Sequence, residues 1–187
     1  MLINNAGIFR TSSPLTADGL DVRFVVNTIA PYRLSQRLWS RFNQSSRIIN
    51  LSSAAQAPVE LGVLAGQRHL SDEFQVYAQS KLALTMWTRQ LGLNRGSQDP
   101  VLIAVNPGSM LGSKMVTEGF GVAGGDLSVG ASILARAALD EDFAQHSGEY
   151  FDNDSGKFSD PHAAGLSSDA GKALLETMDN LIASLTQ

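Results

Sequence analysis

The chain has no cysteine, and its 187 residues include only three histidines, His69, His146 and His162. Disulfides and thiolate metal sites are therefore excluded, and the scattered histidines have none of the spacings that build a zinc centre. Positive charge is also scarce, with 14 Lys and Arg against 18 Asp and Glu and a net charge of −4. No basic excess exists to neutralise phosphates, which argues against nucleic acid or an anionic membrane surface as the main partner. Long apolar runs are missing too: none approaches the roughly 18 residues that would cross a bilayer. The N-terminus has no basic flank leading into an apolar signal region. Taken together, these absences point to a cytoplasmic protein without a membrane span.

What is present is the balance of a globular chain, 43% apolar and 17% charged, long enough for one sizeable core and expected to form a single domain over residues 1–187. Met1-Leu2-Ile3 runs at once into Asn4-Asn5-Ala6-Gly7, which reads as the last residues of a buried strand and a tight turn. A periodic stretch from about Gly19 to Asn43 predicts a long helix, and the run Arg47 to Ser52 predicts a buried parallel strand. Ala54 to Gln75 mixes Pro, Gly and polar groups and reads as a loop, followed by a helix from Val76 to Arg95. Val101 to Val105 is a second strand, closed by Asn106-Pro107-Gly108. Helices over Asp126–Leu139 and Asp169–Leu185, with a short strand over Gly148–Phe151, complete the pattern. This alternation predicts an α/β fold with a doubly wound, mostly parallel sheet.

Tyr77 and Lys81 stand four apart on a predicted helix, so their polar tips share a face. A phenol of ordinary pKa is a poor proton donor or acceptor at neutral pH, whereas a nearby ammonium favours the phenolate and brings it toward the working range. Taken alone, the pair also fits a surface tyrosine beside a solvated lysine. Ser53 follows the carboxyl end of a predicted parallel strand, where ligands sit in open α/β sheets, although a serine there can also simply satisfy its own turn. Pro31, four residues after Asn27, has no N–H to give to the Asn27 carbonyl. A carbonyl freed in this way can hold an ordered water, or the helix can merely bend there.

Gly119-Phe120-Gly121-Val122-Ala123-Gly124 is a literal G-x-G-x-x-G, but it does not directly follow an apolar strand and is rejected as a phosphate cradle. The segment Ser109 to Gly125 reads instead as a mobile loop with glycine hinges, or as an ordinary surface loop.

Taken in order, Asn4-Asn5-Ala6-Gly7, Asn27, Ser52-Ser53, Tyr77-x-x-x-Lys81 and Asn106-Pro107-Gly108 make the sequence resemble the short-chain dehydrogenase/reductase family over nearly its whole length. The resemblance implies the C-terminal part of a Rossmann-like fold that transfers hydride between NAD or NADP and a small-molecule carbonyl/alcohol pair. It implies Tyr77 as the acid/base, Lys81 as the group that lowers its pKa and bonds the nicotinamide ribose, Ser53 as the residue that orients the substrate oxygen, and Asn27 as support for a proton relay. It also places Asn4, Ala6, Gly7, Pro107 and Gly108, with Tyr77 and Lys81, against the cofactor, and makes the segment after Gly108 a lid. The long Ser53-to-Tyr77 interval sets Gln56 to Gln75 beside the active site. Together with Ser80–Ala83, Thr88–Leu91 and Gly148–Phe151, this interval resembles the retinol-dehydrogenase-like and WW-domain-oxidoreductase-like branch.

By the same resemblance the glycine-rich first half, with its strands and its NAD-versus-NADP discriminator, is expected to lie outside this sequence, so cofactor preference is unreadable. The sheet edge at Leu2-Ile3 is then open to strand addition or self-pairing. A homo-oligomer through the two long helices is the corresponding expectation. The alternative function is a non-catalytic fragment acting as an interaction module through that edge or those helices. Acyl transfer with Ser53 as nucleophile is disfavoured because no G-x-S-x-G elbow or partner His accompanies it.

Overall fold

The computed structural model describes residues 1–185. Five strands form one sheet in the order β1-β2-β3-β4-β5: Leu2–Asn4, Arg47–Leu51, Val101–Asn106, Tyr150–Asp152 and Lys157–Ser159. The first four are parallel, and β5 returns antiparallel to β4 as a hairpin. Successive residues of β2 and β3 point to opposite faces, so both faces must be apolar and both must be covered. Ile48 and Leu102 enter one core, Ile49 and Ile103 the other, and all four are fully buried. Each contributes about 1.5–3 kcal/mol by burial.

The first core lies under α1 (Val22–Phe24), α2 (Ala30–Leu38), α4 (Glu73–Leu93) and α7 (Ser168–Ser184). The second lies under α6 (Leu127–Leu139), whose Ile133 and Ala137 meet Phe143 and Phe151. The α/β class and the mostly parallel sheet thus agree with the sequence, and β1 forms one edge of the sheet.

Element boundaries depart from the sequence reading where side chains intervene. The helix expected from Gly19 starts at Val22, because the Asp21 carboxylate caps it by accepting from the Arg23 N–H. It widens into a π-helical segment over Val25–Ile29, with Ala30 N–H donating to the Val25 carbonyl. The missing N–H of Pro31 favours such a wider turn at this point.

The expected loop 54–75 contains α3 (Leu61–Leu64), whose Val63 and Leu64 are buried in the first core, so much of this segment packs inward rather than beside the site. Helix α4 begins at Glu73, earlier than expected, because Asp72 caps the N–H groups of Phe74 and Gln75. The expected lid loop contains α5 (Lys114–Phe120), capped by Ser113 and ended by Gly121 at φ +70°. The strand β5 was not foreseen. The strand expected from Gly148 starts at Tyr150, since a Cβ on Gly92 would lie 2.3 Å from the Gly148 nitrogen and the chain there is pressed against α4.

Helix α7 packs along α4, with Leu174 and Met178 in the core beside Trp87. Tyr32 on α2 donates to Asp179 of α7 at 2.9 Å. One face of the helix pair expected to join subunits is therefore occupied by the chain's own C-terminal helix. Among the described residues, no helix is long and apolar enough to cross a membrane.

Candidate active site

The carboxyl ends of β1, β2 and β3 open onto a cavity of about 780 Å³ whose wall includes Gly7, Ser53, Tyr77, Lys81, Pro107 and Gly108. With Ala6 from the turn after β1, seven of the residues singled out in the sequence therefore meet around one space. This is where ligands collect in open α/β sheets, because the loops leaving the strands diverge there.

Tyr77 and Lys81 sit one turn apart on α4, with the lysine nitrogen 5.8 Å from the centre of the tyrosine ring. Lys81 is 4% exposed, and its ammonium donates to the Leu51 carbonyl at 2.8 Å, which pins it to the end of β2. Burial pushes the Lys81 pKa down to about 8. For Tyr77 burial is the larger influence and raises the phenol above its ordinary value, while the neighbouring Ser53 hydroxyl on the same cavity wall pulls it back. The expected lowering by Lys81 is thus not what dominates here: the neighbouring hydroxyl opposes burial, and the phenol keeps its proton at neutral pH. Ser53 also accepts from the Ala55 N–H at 3.1 Å, so its oxygen caps its own turn while its proton remains free to donate. The preceding Ser52 faces inward, 2.6 Å from the Thr85 hydroxyl.

The Lys81 shift carries a stability consequence. The unfolded chain holds this proton up to 10.5, whereas the folded chain releases it near 8. Between these values unfolding takes up a proton, so raising the pH favours the folded state. We expect urea denaturation of the wild type, compared with Lys81→Met, to show stability rising relative to the variant from pH 8 to pH 10.5. A pH-independent difference would contradict the depressed value.

Two of the expected residues do not line the cavity. Asn4 is buried and donates to Asn50 on β2 at 2.7 Å, so it ties β1 to β2, and the exposed Asn5 takes its place at the wall. Asn27 is 1% exposed. Its side-chain oxygen accepts from the Ile8 N–H at 2.8 Å, and its amide donates to the Ile8 carbonyl and the Ser80 hydroxyl, each at 2.9 Å. The side chain is therefore a brace for the turn after β1. Gly7 lies beside that brace, where an added Cβ would make only ordinary contacts, 3.6 Å from both the Asn27 oxygen and the Lys81 nitrogen.

The Asn106-Pro107-Gly108 turn, with Gly108 at φ +125°, is held by the β4–β5 hairpin. Asn106 donates to Asp152 at 2.8 Å and to Asp154 at 2.9 Å, and Asn153 donates to the Pro107 carbonyl at 2.9 Å. Burial works against the Asp154 charge, but hydrogen bonds from Ser109 and Asn106 hold its pKa below the usual carboxylate range.

Beyond Gly108 the chain pinches shut, with Gly112 N–H donating to the Gly125 carbonyl and Gly125 N–H to the Met110 carbonyl, both at 2.7 Å. A Cβ on Gly124 would lie 2.6 Å from the Gly112 Cα, so both glycines serve close approach at a neck, from which α5 projects over the cavity. The G-x-G-x-x-G lies at the end of α5, not at a helix N-terminus, and has no geometry for a phosphate cradle.

The sequence reading missed an aromatic cluster at the cavity mouth. Phe9 stacks on Phe120 at 5.6 Å, tilts against Tyr77 at 5.0 Å and meets Phe74 edge-on at 6.2 Å. It also missed Arg23, buried and bonded to Asp21, Glu73 and the Phe9 carbonyl. No local pattern announces either, because their members come from separate loops and helices.

A family model described as short chain dehydrogenase matches residues 1–120. Retinol dehydrogenase 12 of Mus musculus is 31% identical over 163 residues, covering 81% of this chain and 51% of that protein. Retinol dehydrogenase 13 of Homo sapiens is 34% identical over 112 residues, covering 58% of this chain and 34% of that protein. The chain thus spans about half or less of the length of these curated relatives. Among solved structures, an uncharacterized protein from Mycobacterium paratuberculosis shares the fold with a TM-score of 0.75 at 23% identity, over 96% of this chain and 65% of that one. The landomycin C-6 ketoreductase LanV with bound NADP and rabelomycin aligns with a TM-score of 0.58 at 27% identity, over 81% of this chain and 58% of that one.

Proposed function

Since the chain belongs to the short-chain dehydrogenase family, we propose that it is the catalytic part of an NAD(P)-dependent oxidoreductase in which Tyr77 exchanges a proton with the oxygen of a carbonyl or alcohol substrate. The observation that carries this reading is the convergence of Ser53, Tyr77 and Lys81 on one cavity with Gly7 and Pro107-Gly108. A nicotinamide coenzyme bound there supplies or takes up the hydride. The residues present suit its nicotinamide-ribose end: Gly7 and Gly108 leave bare backbone at the wall, and Lys81 has donors beyond the one given to Leu51. Ala6 and Pro107 line the same approach, whereas Asn4 acts indirectly by fixing β1.

In the reductive direction Tyr77 gives its phenolic proton to the developing alkoxide. Burial keeps that proton in place until then. Ser53 donates to the same oxygen and orients it, and Lys81 stabilises the phenolate that forms. Asn27 contributes through its main-chain carbonyl, which Pro31 leaves without a donor four residues on, as an anchor for a proton-carrying water. The apolar mouth formed by Phe9, Phe74 and Phe120 suits an uncharged substrate. Retinol dehydrogenases are among the relatives, and only the carbonyl/alcohol class is carried over from them. A cytoplasmic location accords with the cysteine-free, acidic composition.

The test is titration with NADH and NADPH, followed by the fluorescence of the reduced nicotinamide, on this 187-residue chain and on a longer form with a glycine-rich turn upstream. We expect the longer form to bind at least tenfold more tightly, because a pyrophosphate cradle adds several charge-assisted bonds, about 1.5–3 kcal/mol each. Binding by neither form would sink the enzyme reading and favour an interaction module using the β1 edge.

A further inference from the structure

Ser53 stands outside the sheet: the last ladder bond beside it is from Ser52 N–H to the Val105 carbonyl at 2.8 Å. Its own carbonyl nevertheless receives two side-chain donors. The Tyr150 hydroxyl reaches it at 3.2 Å and the Gln56 amide at 3.0 Å. Gln56 is itself held from behind, since its oxygen accepts from the His162 N–H at 2.8 Å.

Tyr150 opens β4, two strands away from β2. It lies opposite Ala104, which lies opposite Asn50, so all three share a face of the sheet. Ala104 presents only a methyl, and the phenol spans β3 to the turn after β2. With Tyr150 6% exposed, a hydroxyl left unbonded there would cost about 1–3 kcal/mol. Burial, and then the charges of Asp152 and Asp154, raise its pKa and keep it a donor. A carbonyl has two lone pairs, and both are used here, so the Ser53 peptide is fixed in plane and rotation.

We propose that Tyr150, assisted by Gln56, is a positioning residue that fixes the Ser53 peptide and so aims the Ser53 hydroxyl at Tyr77. The inference rests on the reading of Ser53 and Tyr77 as the pair facing the substrate. Tyr150 lies beyond the residues matched by the family model. The hairpin it opens also holds Pro107 through Asn153 and Ser109 through Asp154, so one hairpin aligns the loops that follow β2 and β3.

The chain has three tyrosines, Tyr32, Tyr77 and Tyr150. Labelling the carbon that bears the hydroxyl therefore gives one NMR line for each, sensitive to the hydrogen bonding of that hydroxyl and independent of coenzyme and turnover. Ser53→Ala defines the displacement of the Tyr77 line when its partner is lost. Tyr150→Phe is expected to move that line in the same direction by most of that displacement, with the Tyr32 line unmoved; Gln56→Leu is expected to move it less. A Tyr77 line that stays in place in Tyr150→Phe overturns the proposal. So does a displacement shared by Tyr32, which would mean general loosening, or a Ser53→Ala spectrum in which Tyr77 does not move. Should Tyr150→Phe not fold, Gln56→Leu decides by the same criteria. The proposed enzymatic function fails separately, through retained turnover in Tyr77→Phe or the absence of coenzyme binding.

Discussion

Tyr77→Phe is expected to lower the turnover of a coenzyme-binding longer form by about 10³-fold, within the range general acid-base catalysis contributes, while its affinity for NADPH changes little. The substitution removes one oxygen and leaves the ring, which is in contact with Phe9 at 5.0 Å and flanked by the Lys81 nitrogen at 5.8 Å from its centre. Packing is therefore preserved while the proton is lost. Without that proton the developing alkoxide must be neutralised by Ser53 or solvent, and Ser53 is a weaker acid held by its own turn. The checking measurement is steady-state reduction of a carbonyl panel beside coenzyme titration for wild type and variant. Turnover within a factor of about ten of wild type would remove Tyr77 from the chemistry, since even the low end of acid-base assistance is larger.

Arg23→Met is expected to be strongly destabilising although Arg23 lies outside the cavity wall. Arg23 is 1% exposed, donates to Asp21 at 2.8 Å, pairs with Glu73 and donates to the Phe9 carbonyl at 2.6 Å. Removing it strands Asp21, itself 6% exposed, as a buried charge, and leaves the Phe9 carbonyl without its donor. Breaking one side of a buried pair costs about 3–5 kcal/mol. Glu73 is half-exposed and recovers its hydration, and Asp21 keeps its capping bond, so the low end, about 3 kcal/mol, applies here. For a chain of this size that is a loss of about 6–12 °C in Tm. The double variant Arg23→Met with Asp21→Asn removes the stranded charge but keeps a capping side chain, and should regain part of the loss. If Arg23→Met melts with the wild type, or the double variant is no better than the single, the buried charge is not the cause.

The two experiments probe linked parts of one arrangement. Arg23 joins the loop carrying Phe9 to Glu73 at the start of α4, the helix that one turn later presents Tyr77.

The sequence by itself determined the α/β class, the parallel strands and the identity of the cavity's chemical groups. Ile48-Ile49 and Leu102-Ile103 had to be buried on both faces, and four-residue spacing on a helix puts Tyr77 and Lys81 side by side whatever the helix packs against. Pro107-Gly108 and Asn4-Asn5-Ala6-Gly7 were legible because tight turns depend on local backbone preferences. Helix starts at Asp21 and Asp72 were legible only approximately, since these residues become caps through the direction their side chains take, and α5, capped by Ser113, was read as loop.

Tertiary structure alone decided what each polar group is worth. It turned Asn4 and Asn27 inward as braces, placed Ser53 rather than Ser52 toward Tyr77, and made burial and Ser53, not Lys81, the opposing influences on the phenol. It brought Tyr150 to Ser53 across 97 residues of chain and Arg23 to Glu73 across 50. Such contacts have no signature in a local window, because hydrogen bonding and desolvation depend on distances that only the packed chain fixes.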